Sequence, residues 1–350
     1  MSNPRWKRRP HGSTWGDWGP DDQLGRLNLL TPEKVKQGVA EVKDGLSFCL
    51  SLPLDYPGGN LLNPRRHPPV IKPTERSRQP NMNYALFCDD PNLTDVVCDD
   101  VVILTLQYST QWDSLSHVGQ MFDADGDGKP EAVYYNGYRA GIDILGPAEM
   151  PKEPDTGNPH GQSTSRATKL GVENMAAKAI QGRGVLIDLH AHFGRERKLV
   201  GYDDLMRVME KDNVVVESGD MALFHTGFAA MLLEMERNPD KDKLHGACSV
   251  LNGRDQKLLK WITDSGVVSM IADNYAVEAH PAEPGEGCCS MLPLHEHCLF
   301  KLGVNLGEIW YLTELADYLR KNKRNRFLLT APPLRLPGAV GSPATPVATV

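Results

Sequence analysis

Between residues 172 and 272 the chain alternates helical and apolar extended segments, and this alternation narrows the available folds more than any other feature. Val172 to Gln181 has helical periodicity. Gly184-Val185-Leu186-Ile187-Asp188-Leu189 has the continuous apolar character of a buried strand, and Tyr202 to Glu210 is helical again, with Asp203 near its start. Val214-Val215-Val216 and Met221-Ala222-Leu223-Phe224 read as strands on either side of the turn Glu217-Ser218-Gly219-Asp220. Asn252 is placed to cap a helix running to Asp264, and Gly266 to Ala272 then forms another inner strand. The order is that of an α/β fold. It contains neither Gly-x-Gly-x-x-Gly nor a phosphate-binding Lys loop, so no nucleotide cofactor is expected.

Composition sets outer limits. The 350 residues are 40% hydrophobic and 24% charged, enough for a sizeable core in one large domain. The net charge of −7 is modest, and basic residues form only short clusters such as Lys7-Arg8-Arg9 and Lys321 to Arg326, which argues against nucleic acid as a partner. No window approaches the roughly 18 apolar residues that span a bilayer, and Met1 to Trp6 lacks the apolar segment of a secretory signal. No membrane association and a cytoplasmic location are expected. The seven cysteines include no Cys-x-x-Cys and sit mostly among apolar neighbours such as Phe48-Cys49-Leu50, so they read as reduced thiols.

Residues 1–30, rich in Trp, Pro, Gly and Asp, read as an arm that packs on a single domain formed by residues 31–350 and closed by a C-terminal tail. Thr31 and Pro32 start a helix through Val42. The Pro-, Arg- and Asn-loaded stretch from Asp55 to Asn83 reads as a long surface loop of the kind that covers a site. Asp123-Ala124-Asp125-Gly126-Asp127-Gly128 imitates the start of a calcium-binding loop, but Tyr134 stands at its twelfth position, so a turn between two short strands is expected.

Chemistry concentrates in Gln107-Tyr108-Ser109-Thr110-Gln111-Trp112-Asp113-Ser114-Leu115-Ser116-His117. Val101 to Leu106 reads as a buried strand, and on an extended continuation Gln107, Ser109, Gln111, Asp113, Leu115 and His117 share one face. Amide, carboxylate and imidazole groups on one face suit the floor of a pocket. Trp112, with Tyr134, Tyr135 and Tyr138 just downstream, reads either as an aromatic wall for a ring-bearing substrate or as ordinary packing.

This stretch resembles the His-x-Gly-Thr-His-x-Asp-x-Pro-x-His signature of the cyclase family, to which bacterial kynurenine formamidase and isatin hydrolase belong. Other fragments agree in order: Trp18 to Gly25 with Asn28-Leu29-Leu30-Thr31-Pro32, Gly182 to Asp188, Gly219-Asp220 with His225-Thr226-Gly227, Ala272-Asp273-Asn274 with Glu278, and Pro293-Leu294-His295 through Gly307-Glu308 to Ala331-Pro332-Pro333. The resemblance implies a swivelling β/β/α, cyclase-like fold assembled as a homodimer or homotetramer.

By the same resemblance, Asp113, His295 and Glu308 stand at metal-ligand positions, with His297 as a substitute for His295. His117 stands at the position of the proton shuttle. The two earlier signature histidines are here Gln107 and Gln111. A neutral amide oxygen is a poor exchange for imidazole on zinc but acceptable to a harder ion such as manganese, so a dinuclear centre is not expected. One divalent ion, manganese or zinc, on Asp113, His295 and Glu308 is one reading, and no metal is the other. Gln107, Gln111, Trp112, Tyr138 and the arm residue Asn28 are candidate substrate contacts. His192 and His225 read as structural. The leading expectation is hydrolysis of a non-peptide carbon–nitrogen bond, or of a cyclic amide or lactone, in a small molecule. The alternatives are a metal-free lyase, dehydratase or cyclase using His117 and Asp113, and a non-catalytic binding protein.

Overall fold

The computed structural model describes residues 5–148 and 163–350. Nine strands form one mixed sheet: β1 (Ser47–Cys49), β2 (Gln111–Asp113), β3 (Gln181–Asp188), β4 (Met221–His225), β5 (Ser269–Ala272), β6 (Asn305–Glu308), β7 (Arg326–Thr330), β8 (Gly341–Pro343) and β9 (Val347–Thr349). Their order across the sheet is β1-β9-β7-β3-β4-β5-β6-β2-β8. The central strands β3 to β6 are mutually parallel, and antiparallel strands complete both edges.

Both faces of the central sheet are buried. Val185, Ile187, Ala222, Phe224, Met270, Ala272 and Leu306 enter one core, while Leu186, Met221, Leu223, Ile271, Phe327 and Leu329 enter the other. This is why the central strands read as continuous apolar runs rather than alternating ones. Helices Pro32–Ala40, Val172–Lys178, Tyr202–Lys211, Gln256–Ser265 and Thr313–Lys321 accompany the sheet. Thr31 caps the first of these, its Oγ1 accepting from Lys34 N, as the sequence suggests. The helix ending at Ser265 is capped by Asp255, which accepts from Lys257 N and Leu258 N, rather than by Asn252.

Two expectations need correction. Residues 214–216 form no strand: Val214 is buried, Val215 faces solvent and Val216 packs half-buried on the core, but among the described residues none of them joins a ladder with a neighbouring segment. The segment from Val101 is not an inner strand either. Asp100–Ile103 pairs with Val70–Pro73 in a separate two-stranded ribbon that leaves Val70, Ile71 and Val102 exposed. The C-terminal tail is structural, since β8 and β9 join opposite ends of the sheet. The seven cysteines are free thiols, but only Cys248 and Cys298 are buried. Asp123 to Gly128 forms the turn between Gln120–Phe122 and Glu131–Val133, with Asp123 accepting from Gly126 N and Gly128 N. Among the described residues, no helix is long and apolar enough to cross a membrane.

The arm is held by specific contacts. Trp15 is fully buried beside Phe300 and donates its indole N–H to the Phe300 carbonyl at 2.7 Å. Arg26 is buried and donates to the carbonyls of Ile262 and Thr263. Gly25 approaches Gly303 so closely that a Cβ would lie 2.2 Å from its carbonyl oxygen, which excludes any larger residue there.

Candidate active site

A buried cluster forms at the C-terminal end of the parallel strand β6, the end where open α/β sheets place their chemistry. Register brings its first two members together: Glu308 of β6 lies opposite Gln111 of β2, and Leu306 lies opposite Asp113. Because side chains alternate along a strand, Gln111 and Asp113 share a face and Trp112 points to the other. Gln111 Nε2 donates to Glu308 Oε2 at 3.0 Å and to Asp113 Oδ1 at 3.5 Å.

His295 arrives from the short helix Pro293–His295, which continues as the π-helical turn Glu296–Leu302, a distortion often found at functional sites. Its Nδ1 lies 2.8 Å from Glu278 Oε1, and Glu278 also accepts from Leu294 N and His295 N at 2.9 Å each. Three bonds onto one carboxylate fix the ring. A carboxylate only accepts, so Nδ1 carries a proton and Nε2 is aimed at Glu308 Oε1, 3.2 Å away, and at Asp113 Oδ2, 3.9 Å away. Gly253 makes room for this arrangement, since a Cβ there would lie 2.2 Å from Glu278 Oε2.

His117 reaches the cluster by a turn and not along an extended face. Its N–H donates to the Ser114 carbonyl at 3.0 Å, and the Ser114 and Ser116 hydroxyls pair at 2.7 Å. Extended backbone would carry residues four apart well beyond contact. The turn instead leaves His117 Nε2 3.7 Å from Asp113 Oδ1, with the imidazole partly open to solvent.

Burial raises the Asp113 carboxyl pKa, with the His117 charge opposing it and that of Glu308 adding to it. At Glu308, burial is outweighed by the hydrogen bond and charge of His295, so its carboxyl lies below the usual range. Burial disfavours a charged His295, but bonds to Glu278 and Glu308 overcome this and push its pKa up to about 10. An imidazolium therefore occupies the space between two carboxylates.

Asp113 Oδ2 and Gln111 Oε1 are buried without any hydrogen-bond partner. One ligand atom each from Asp113, His295 and Glu308 lies within 4.8 Å of the others. Unpartnered oxygens next to a carboxylate and an oriented imidazole fit a divalent cation, which would displace the Nε2 proton. Asp123, Asp125 and Asp127 also lie close enough to share an ion, but they are surface turn residues whose oxygens already accept backbone N–H groups.

The remaining candidates are placed elsewhere. Trp112 packs edge-on to Trp310 at 5.0 Å in the opposite core and donates to the Ala331 carbonyl. Tyr138 is buried under Arg5 and donates its hydroxyl to the Asp21 carbonyl, so it secures the arm. Asn28 donates to Asp22 Oδ1 and the Gly25 carbonyl within the arm. These three are therefore not brought to the cluster. Gln107 lies on a turn before β2, its side chain against Gly341, which pairs with Asp113. His297 points outward to Thr263 Oγ1 at 2.9 Å, so it does not substitute for His295. His192 pairs with Asp212, and His225 is held between Asp188 and Thr313, as structural residues would be.

Sequence reasoning missed the role of Glu278 and gave no role to Arg66, Tyr275 or His280. His280 is half-buried, its Nδ1 has no partner, and its pKa is lowered by burial first, while the charge of Glu308 opposes this. The only advance signal for Arg66 was its place in a long loop. A cavity of about 760 Å³ lies on the outer side of the Pro293–Leu302 turn, against Glu296 and His297, and is not lined by the cluster. Two clefts of about 10 Å³ each adjoin Tyr275, one containing Glu278 and His280 and the other Asn63 and Arg66.

The model of the cyclase family, described as putative cyclase, matches residues 48–279. A crystal structure described as that of a novel cyclase aligns with a TM-score of 0.70 at 29% identity, covering 97% of this chain and 99% of that one. Isatin hydrolase A from Ralstonia solanacearum aligns with a TM-score of 0.54 at 14% identity over 91% of this chain and 97% of its own. The isatin hydrolase A from Labrenzia aggregata, bound to benzyl benzoate, gives 0.53 at 13% over 91% and 98%. At such identities the two hydrolases share the fold, and the expected cyclase-like architecture is the observed one. No curated protein sequence matches. The family match stops before His295 and Glu308, whose membership of the site rests on geometry.

Proposed function

Because the chain belongs to the cyclase family, we propose that it is a hydrolase opening a non-peptide carbon–nitrogen bond, or a cyclic amide or lactone, in a small ring-bearing substrate. One observation carries this reading: Asp113, His117, His295 and Glu308, far apart in sequence, meet in a single buried cluster with unpartnered acceptor oxygens. The similarity in fold to isatin hydrolases supports a cyclic amide as one substrate type.

Asp113, His295 and Glu308 would hold one divalent ion, manganese or zinc. When bound, it supplies Lewis acidity toward a carbonyl and lowers the pKa of water. His117 is the proton carrier. Its imidazole takes a proton from water as the water oxygen bonds to the carbonyl carbon, then returns it to the leaving nitrogen as the carbon–nitrogen bond breaks. The products are a carboxylic acid and an amine or a ring-opened amino acid; from a lactone the carbon–oxygen bond breaks instead, the proton returns to the leaving oxygen, and the product is a hydroxy acid. Asp113, 3.7 Å away, stabilises the transient imidazolium. Glu278 keeps His295 oriented, and Gln111 ties Glu308 to Asp113.

The test is a panel of aryl formamides, cyclic amides and lactones incubated in ¹⁸O-labelled water. Hydrolysis places one label in the product carboxyl. A product formed without label, by elimination or ring closure, overturns the reading. With an active substrate, His117→Ala is expected to lower kcat by about 10²-fold or more while metal content is unchanged. Full turnover in that variant contradicts the assigned role.

A further inference from the structure

Residues 53–66 pack against the stretch that leads into β2, where the Tyr108 hydroxyl accepts from Gly58 N and donates to the Gly59 carbonyl, and they end at Arg66, which has no acidic partner among the described residues. Arg66 is half-buried, and its Nη1 donates to the Gln107 carbonyl at 2.7 Å. Its Cζ stands 5.7 Å from the centre of the Tyr275 ring. Both anchors belong to segments that flank the site. Gln107 lies four residues before Gln111 and against Gly341, the partner of Asp113. Tyr275 follows Asn274, whose carbonyl accepts from Ile309 N, the residue after Glu308.

The approach of the loop is fixed from within. Asn63 is buried, accepts from Arg65 N at 3.1 Å, and donates to the Tyr275 hydroxyl at 3.0 Å. Among the described residues no carboxylate lies within 4 Å of the Arg66 guanidinium.

An Arg held by a carbonyl and a ring keeps most of its fork of donors for something else. Carboxylate is the group that such a fork matches in a bidentate way. We propose that Arg66 is the anion-recognition residue of this site, and that the substrates are small ring-bearing amides or lactones carrying a carboxylate beside the ring. Arg66 holds that carboxylate above Tyr275, which leaves the scissile carbonyl between Asp113 and His117. This inference deepens the hydrolase reading and rests on it for the word substrate, but its test needs no turnover.

The probes are benzoate and its neutral isostere benzamide, bound to the intact protein and measured by calorimetry with and without Mn²⁺. Benzoate is expected to bind at least about tenfold more tightly than benzamide. Arg66→Gln should erase that preference and leave benzamide affinity and Mn²⁺ affinity unchanged, while Arg66→Lys, which keeps charge without the fork, should retain part of it. A preference that survives Arg66→Gln, or that appears only with Mn²⁺, assigns the anion to the metal and overturns the proposal. Weakened Mn²⁺ binding with no change in benzoate preference also overturns it, making Arg66 a counter-charge. If the hydrolysis panel fails while the Arg66-dependent preference stands, the subsite holds and the reaction assignment falls. Hydrolysis of neutral and anionic substrates alike has the opposite meaning.

Discussion

A buried carboxylate such as Asp113, with one oxygen unpartnered, keeps its charge only if a cation faces it. In the metal-free protein that cation is protonated His295, oriented by Glu278. Glu278→Gln exchanges one acceptor for a donor among three bonds that all require acceptors. Divalent metal affinity should fall about 10–100-fold by calorimetric titration, with the fold retained by circular dichroism. Unchanged affinity would show that ring orientation does not matter. His297, two positions on, titrates the opposite way. Burial and then the Lys301 charge depress its pKa to about 4. Between about pH 6.5 and 4 the unfolded chain binds a proton there that the native protein refuses, so native stability falls with pH by up to ~1.4 kcal/mol per unit. Chemical denaturation across that range should show wild type losing stability relative to His297→Gln. Parallel curves would contradict the assignment.

At the scale of elements, the strands carry as much ion-pair chemistry at their far ends as at the catalytic ends. Asp220, just before β4, accepts two bonds from Arg183 at 2.9 Å each and one from Lys34 at 3.0 Å, all out of solvent. Asp220→Asn leaves two buried cations sharing only Glu217, and it should cost about 3 kcal/mol in denaturant melts without altering metal affinity. The Gly219-Asp220 and Thr226-Gly227 fragments that carry part of the family resemblance have structural roles, the latter because Asp273 accepts from Thr226 N and Gly227 N at 2.7 Å each. The inner strands β3 to β5 were legible because burial on both faces leaves unbroken apolar runs. The polar motif was legible in residue type but not in path. The chain leaves the Asp100–Ile103 ribbon, turns, and becomes a strand only for residues 111–113, and periodicity in sequence does not record a turn that long-range register imposes. Trp112 was a reasonable pocket wall by adjacency and the wrong face by pleat. Glu278 and Arg66 act through contacts between segments far apart in sequence, which no local pattern encodes.

For the whole molecule, a mixed sheet buried on both sides carries Glu308 at the C-terminal end of β6, while the arm packs away from the site, against Ile262, Thr263 and Gly303. The four positions singled out from the sequence meet there because β2, inserted beside β6, runs antiparallel to it, setting Gln111 opposite Glu308 and Asp113 one pleat away on the same face. His295 is then delivered from the far side by the turn after Pro293. The central claim is that this convergence holds one divalent cation. Its most direct measurement is an anomalous difference map from crystals of chelator-stripped protein reloaded with Mn²⁺. The account predicts one peak per chain between Asp113, His295 and Glu308, lost in Glu308→Gln. No peak at that position, or a peak confined to the Asp123–Asp127 turn, would contradict it.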